Sequence, residues 1–493
     1  MEVEKGCILW HKIFMQNKIK PSKGTALLST ECTQKSFEFH PHFHRKVETN
    51  FEGGRITSHG GGVLLREVNR KTGIVSRLAQ CFQDRRDPER IEHAVESLVA
   101  QRVYGLALGY EDLNDHDDLC RDPLLALLAG KADVEGQDRR RASDRGKALA
   151  GKSTLNRLEL SGELVAEQER YKKILFDSEA ADRLLVELYM ESESRQPEEV
   201  ILDLDATDDP LHGNQEGRFF HGYYGHYCYL PLYIFAGHHA LCCRLRPSNI
   251  DASEGALEEV KRIVGQLRES WPQVRITLRA DSGFCREELM AWSEANGVDY
   301  VFGLAKNERL KKKLTAAMQE ARSLHEATGE SARVFTEFFY QTRRSWSRQR
   351  RVVGKAEYLE KGENPRFVVT SFSSQQWESR ALYERLYCAR GEMENRIKEQ
   401  QLELFSDRTS TGRMRSNQLR LYFSTFAYTL LEGLRRLGLK GTRMARAQCG
   451  TIRLRLLRIG ALIRISVRRV LISLTSGFPD ADLFQQVWRV LRC

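Results

Sequence analysis

No CxxC pair occurs anywhere in the chain, although it carries 11 cysteines. That absence removes the commonest zinc-site pattern and the dithiol redox motif together. Scattered thiols with no framework fit a reduced compartment better than a disulfide-stapled secreted scaffold. Long apolar runs are missing as well. The longest stretch free of Lys, Arg, Asp and Glu, Phe219 to Cys243, holds four His, three Gly and a Pro, so it reads as strands and not as a membrane span. The opening "MEVEKGCILWHKIFMQNKIK" puts charges on both sides of a short apolar patch and offers no small-residue cleavage site, which argues against secretion. No internal repeat is visible, and no G-x-S-x-G elbow accompanies the "HGGG" at His59 to Gly62. Without that elbow the motif does not make an esterase oxyanion loop and reads as a Gly-rich lead-in to a helix.

A hydrophobic share of 41% with 29% charged residues fits a globular protein, and 493 residues exceed one ordinary core, so about two to four domains are expected. The formal net charge is +10, and the excess is uneven. From Phe405 to the end there are 17 Lys and Arg against 4 Asp and Glu, a local balance of +13 that leaves −3 for the rest. A polyanion partner for the C-terminal part follows, with a solvated charged face as the plainer alternative. Residues 1–50 read as a poorly structured leader. There "HPHFH" would set His40, His42 and His44 on one side of an extended chain, a spacing that could bind metal but more simply marks an irregular polar segment. Residues 51–195 carry helical periodicity, as in "DPERIEHAVESLVAQRVYGLALG" with its Asp-Pro start.

The texture changes near Pro197. "EVILDLDAT", "RFFHGYYGHYCYLPLYIFAG" and "HALCCRLRP" read as three strands, followed by a helix at "SEGALEEVKRIVGQLRES", strand "RITLRAD", helix "REELMAWSEANG" and strand "DYVFGLA". A meander followed by alternating helices and strands is the order of a ribonuclease-H-like α/β fold, which assigns residues 196–306 to the first part of a catalytic core. Residues 307–370 alternate aromatic or branched residues with Arg and Thr and are expected to form a small antiparallel β insertion. Residues 371–404 return to helix, and 405–493 form a basic C-terminal region.

A basic protein nevertheless gathers four carboxylates in "ILDLDATDDPLHG", residues 201–213. Strand alternation points Asp203 and Asp205 to one face, with Asp205 at the strand end. Asp281, in "LRADSGF", ends a second strand. In open α/β sheets the functional crevice lies at the carboxyl ends of strands. Carboxylates that meet there repel unless a cation sits between them, and hard oxygen donors suit Mg²⁺ or Mn²⁺. A two-metal site needs a third acid. The candidate is Glu394 in "YCARGEMENRIKE", where Tyr387, Arg390, Glu394 and Lys398 fall on one helical face. An ordinary surface helix with Glu-Lys and Glu-Arg pairs is the alternative.

"LDLDATDDPLHG", "RADSGF", "YVFGLAKN", "YCARGEMENRIKE", "LFSDRTSTGRMRSNQLRLYFSTFAYTLLEGLRRLGLKGT" and "TIRLRLLRIGALIRISVRR", in that order, resemble the Asp-Asp-Glu transposases of bacterial insertion sequences, in particular the 1380 group. Upstream, "ITSHGGGVLLREV" and "STLNRLEL" are similar to the N-terminal half of the same group, so the resemblance runs from about residue 50 to the C-terminus and makes 51–195 the expected helical N-terminal DNA-binding domain, with Tyr387, Arg390 and Lys398 as further expected DNA contacts. It implies Asp205, Asp281 and Glu394 as the catalytic acids and ligands of two Mg²⁺ (or Mn²⁺) ions. It also implies double-stranded DNA partners, namely terminal inverted repeats and target DNA, a homodimer in the synaptic complex, no membrane, and a bacterial cytoplasmic, nucleoid-associated location. In the wider hairpin-forming enzymes the third motif spaces Tyr, Arg, Glu and Lys. Tyr387, Arg390 and Glu394 match, but Gln401 stands where that pattern has Lys, and Lys398 lies one turn earlier. The β insertion of related enzymes carries an aromatic that stacks on a flipped base. Trp346 in "TRRSWSRQRR" is the candidate, with Arg343, Arg344, Arg348, Arg350 and Arg351 placed to hold phosphates; a Trp buried in the sheet is the alternative. A non-catalytic DNA-binding descendant or a stand-alone ribonuclease-H-like nuclease would share part of this pattern.

Overall fold

The computed structural model describes residues 36–163 and 173–492. They fall into two units, one ending at Gly54 and the other beginning at Arg55. In the first, strands Ser36–His42 and Arg45–Asn50 pair as an antiparallel hairpin, a departure from the irregular leader expected there. Alternation in "SFEF" and "KVET" supplies the period-two pattern. His40, His42 and His44 are exposed on it, and they are absent from the single group of three potential metal ligands found among the described residues. Residues 1–35 lie outside the described residues.

The second unit is organised on a nine-stranded mixed sheet, whose strands are numbered in chain order as β1 (Glu199–Ala206), β2 (Leu232–Ala236), β3 (His239–Arg244), β4 (Arg275–Ala280), β5 (Asp299–Leu304), β6 (Ala332–Tyr340), β7 (Arg350–Leu359), β8 (Gly362–Glu363) and β9 (Arg366–Thr370). Their spatial order is β3-β2-β1-β4-β5-β9-β7-β6, with β8 paired to β7. Strands β1 to β3 are antiparallel neighbours, β4 is parallel to both β1 and β5, and β9, β7 and β6 continue antiparallel. The expected separate small sheet at 307–370 is therefore not separate. That segment opens with helices Glu308–Lys313 and Thr315–Thr328, and its strands then pair onto β5, which would otherwise be an open edge of unpaired N–H and C=O groups.

One face of the sheet packs Val200, Leu202 and Leu204 of β1 and Ile276 and Leu278 of β4 against helices Ala256–Ser270 and Glu287–Ala295. The other face packs Val301, Val353 and Val368 against Leu382 and Leu386 of a helical run that starts at Ser379. The period of two in "VILDLD" thus sends the leucines into one core and Asp203 and Asp205 to the side of that run. The stretch "RFFHGYYGHYCYLPLYIFAG", expected as one strand, breaks at its glycines and Pro231 into Phe219–His221, His226–Tyr229 and β2.

The segments expected as an N-terminal helical domain and a basic C-terminal region share one core. Helix Met414–Leu434 is buried nearly all round, its Ser416, Asn417, Ser424, Thr425 and Glu432 included, and packs against Val63–Thr72 and Val95–Leu108. The "HGGG" segment serves this packing. Gly60–Gly62 make a short turn into Val63–Thr72, and a Cβ on Gly61 would lie 2.0 Å from the Leu456 carbonyl oxygen, so only glycine fits. Among the described residues no helix is long and apolar enough to cross a membrane, and the eight described cysteines are free thiols.

Candidate active site

Register brings the first two acids together. Strands β1 and β4 pair Asp203 with Arg279 and Leu204 with Ala280, so Asp205 and Asp281 occupy the next position at the carboxyl ends of adjacent parallel strands. Asp281 turns the chain: its Oδ1 accepts from the Gly283 amide at 2.8 Å. The Asp205 Oδ1 accepts from the Ala206 amide at 3.0 Å. Glu394 arrives on helix Gly391–Lys398, and Arg390 ties it to the strand ends, with Nη1 3.2 Å from Asp205 Oδ2 and Nη2 2.9 Å from Glu394 Oε1. Tyr387 closes the site against β5. A Cβ on Gly303 would lie 2.7 Å from the Tyr387 hydroxyl and 2.8 Å from the Ser282 amide, so glycine is required for that approach.

Burial pushes the Asp205 carboxyl up to about 6; the Arg390 guanidinium pulls it down, while Asp281 and Glu394 push it further up. Burial works against the Arg390 cation, but Asp205, Glu394 and Asp281 together hold its pKa above the usual value. The Tyr387 hydroxyl is raised by burial. The Asp205 side chain is 16% exposed and that of Glu394 45%. The group of three potential metal ligands whose donor atoms lie within 4.8 Å of one another is Glu399, Glu403 and Cys449, not this triad. That group already has partners: Glu399 pairs with Arg435, and Glu403 accepts from the Gly450 amide.

The other carboxylates of the opening cluster have different work. Asp203, the alternative first acid, is buried and forked onto Arg279, with Nε to Oδ1 at 2.5 Å and Nη2 to Oδ2 at 2.7 Å. Arg279 Nη1 also donates to the Leu386 carbonyl at 2.7 Å. Asp208 pairs with His226 at 2.7 Å. Asp209 is fully buried; Oδ1 accepts from Gln401 at 2.9 Å, Oδ2 has no partner, and burial pushes its carboxyl up to about 8. Gln401, where the related pattern has Lys, is therefore the donor that holds this neutral acid.

The helical run bearing Glu394 is less regular than its sequence suggests. It tightens and widens in turn: wide π turns at Leu382–Tyr387, a tight turn at Cys388–Arg390, α-helix at Gly391–Lys398 and wide turns again at Glu399–Glu403. Arg279 donates to the Leu386 carbonyl where the wide turns give way to the tight one, and such irregular turns recur at functional sites. Tyr387, Arg390 and Glu394 still converge, whereas Lys398 is exposed and makes no contact with the acids.

The β-insertion residues do not join them. Trp346 is 6% exposed, edge-on to Tyr340 at 5.8 Å and covered by the Arg350 guanidinium at 5.5 Å, so the buried alternative describes it and no base can stack on it in this conformation. Arg350 is buried against Glu287 and Glu294, and Arg351 against Glu337, which corrects their expected phosphate role. Arg343, Arg344 and Arg348 are exposed, Arg348 2.9 Å from Glu294. Part of the C-terminal basic excess is likewise consumed internally: Arg435 pairs with Glu399 and Glu432, and Arg453 binds the Ala107 carbonyl. Arg464, Arg468 and Arg469 remain exposed on the hairpin Ala461–Ser466/Arg469–Leu474. Sequence reading missed Arg279 and Gln401 as supports; the signal for Arg279 is its place two residues before Asp281, on the same strand face.

Residues 39–493 match the family described as Transposase DDE domain group 1. No curated protein matches the chain. Among solved structures it is similar to a chain of the piggyBac transposase synaptic complex with hairpin DNA, at 10% identity and a TM-score of 0.40, over 80% of this chain and 78% of that one.

Proposed function

The chain belongs to the Transposase DDE domain group 1 family, and on that premise we propose that it is a bacterial insertion-sequence transposase of the 1380 group. It binds the terminal inverted repeats of its element and moves the element by Mg²⁺-dependent, cut-and-paste strand cleavage and strand transfer. The observation that carries this reading is that Arg390 bridges Asp205 and Glu394, while strand register sets Asp281 beside Asp205 at the carboxyl ends of adjacent parallel strands. The order β3-β2-β1-β4-β5, three antiparallel strands and then two parallel ones, supports a ribonuclease-H-like core.

The donor set fits hard divalent cations. Three carboxylates, one of them raised by burial and further by the other two acids, are what such ions relieve, and no soft ligand stands among them. Asp205 with Asp281 would hold one Mg²⁺ or Mn²⁺, and Asp205 with Glu394 the other. Bound there, the pair supplies activation of a water or a 3′-hydroxyl for in-line attack and stabilisation of the leaving oxygen. The protein's own groups do the rest. The Ala206 and Gly283 amides fix one oxygen each of Asp205 and Asp281; the second Asp205 oxygen faces Arg390, which would give it up to a cation. Arg390 holds Glu394 against Asp205 in the free protein and, once released, presents its fork to a phosphate. Tyr387, wedged at Gly303, sets the distance between the helical run and the strand ends. Exposed cations, among them Arg343, Arg344, Arg464 and Arg468, supply salt-dependent phosphate contacts. Pairing two DNA ends calls for a homodimer, and such a protein works on the nucleoid in the cytoplasm.

The test is cleavage of DNA carrying the element's own ends by the purified protein. Cutting at the ends with Mg²⁺ and none in EDTA is expected. End-specific binding without cutting would favour a non-catalytic descendant, and cutting without regard to the ends a simple nuclease; either result overturns the proposal.

A further inference from the structure

The connection between β1 and β2 is an aromatic hairpin. Asp209 and Pro210 pair with Tyr229 and Cys228, and strand His226–Tyr229 pairs in turn with Phe219–His221, so the hairpin grows from the strand end that carries Asp205. Soluble surfaces rarely cluster large apolar side chains. Here Phe219 is 42% exposed, Phe220 57%, Tyr227 42% and Tyr223, at the tip, 87%. Phe220 and Tyr227 are direct cross-strand partners with centroids 5.5 Å apart, and the Arg218 guanidinium lies 3.7 Å from the Tyr227 ring centre. Gly222 and Gly225 bracket the tip, Gly225 at φ +75; between them Tyr223 stands out while Tyr224 packs half-buried against His221 and His226. The surface charge is cationic. No acid occurs from Arg218 to Cys243; of the flanking acids, Asp208 pairs with His226 and Glu216 accepts from the Met414 amide.

We infer that this hairpin stacks on unpaired bases of the DNA end whose scissile phosphate sits at Asp205. The inference rests on the proposed transposase reading and on the exposed rings of "RFFHGYYGHYCY". Bases have faces for rings and a polyanionic backbone for Arg218, whereas neither a lipid surface nor a second copy of this chain explains why the rings are carried on the connection that leaves the strand end at Asp205. Stacking on aromatic side chains tolerates any sequence, so the hairpin reads strand opening and not base identity.

The test compares the full-length protein with the Phe220→Ala/Tyr223→Ala variant and with Tyr223→Trp, using short element-end duplexes that are either fully paired or carry an unpaired flap labelled with 2-aminopurine, with Ca²⁺ in place of Mg²⁺. Wild type is expected to quench the fluorophore and to prefer the flap. The double alanine variant should lose the quench and about ten-fold of flap affinity, keep its affinity for paired DNA, and regain the quench when Tyr223 is Trp instead. Unchanged flap binding, or equal loss on flap and duplex, overturns the inference while leaving the transposase reading intact. A wild type that binds neither DNA overturns both. Loss of self-association or of binding to anionic vesicles in place of flap binding overturns it in favour of those occupants.

Discussion

Asp203 and Asp205 stand two residues apart on one strand face, yet opposite consequences are expected when each becomes alanine. Asp203 is 4% exposed and its partner Arg279 7%. Asp203→Ala leaves that guanidinium buried with only the Leu386 carbonyl as a partner, and breaking a buried, forked pair this way costs about 3–5 kcal/mol. Asp205→Ala removes a carboxyl that burial and two neighbouring acids already disfavour, while Arg390 keeps Glu394. Its stability should stay within about 1 kcal/mol of wild type, the usual worth of a partly exposed pair. Urea unfolding followed by tryptophan fluorescence reads both. The midpoint should fall sharply for Asp203→Ala and barely move for Asp205→Ala, while DNA cleavage disappears in Asp205→Ala. Replacing the pair together, Asp203→Leu with Arg279→Met, should restore much of the loss, because no unpaired charge remains. An Asp203→Ala midpoint equal to wild type, or an Asp205→Ala midpoint as low as that expected for Asp203→Ala, would refute the division of labour.

Asp209 predicts a pH effect of definite sign. Its proton is held to about 8 in the folded state against an ordinary 3.8, so the native state binds the proton more tightly and stability falls as pH rises between those values. Asp209→Asn should flatten that slope and exceed wild type above about pH 8 in thermal unfolding. Gly303→Ala should cost about 1–3 kcal/mol by overpacking, with lower cleavage, since its methyl meets both the Tyr387 hydroxyl and the Ser282 backbone. Trp346→Ala should lower stability by about 3–5 kcal/mol as a core deletion, whereas Arg343→Ala and Arg344→Ala should leave unfolding unchanged and each reduce the salt slope of DNA binding by about one.

How far the sequence could be read is clearest at particular residues. The meander and the alternation that places Asp205 and Asp281 were legible, because strand period and turn residues are local signals. The spacing of Tyr387, Arg390 and Glu394 was legible too, since three- and four-residue intervals survive changes of helical pitch. What could not be read depends on pairing across long separations. Nothing near Trp346 reveals that Tyr340 and Arg350 enclose it, and nothing near Arg350 reveals Glu287 and Glu294 from another helix. The same holds for strands at 332–370 joining β5, and for helix Met414–Leu434 fusing the N- and C-terminal segments into one core. Composition likewise counts arginines without saying which face water, and Arg435 and Arg453 do not.

The most direct test of the central claim is Mg²⁺-dependent cleavage of DNA bearing the element's ends by Asp205→Ala, Asp281→Ala and Glu394→Ala, each first shown to fold and to bind that DNA as wild type does. Loss of cleavage in all three, with binding retained, is the expected result. Undiminished cutting by any one of them would contradict the assignment of these acids as the catalytic triad.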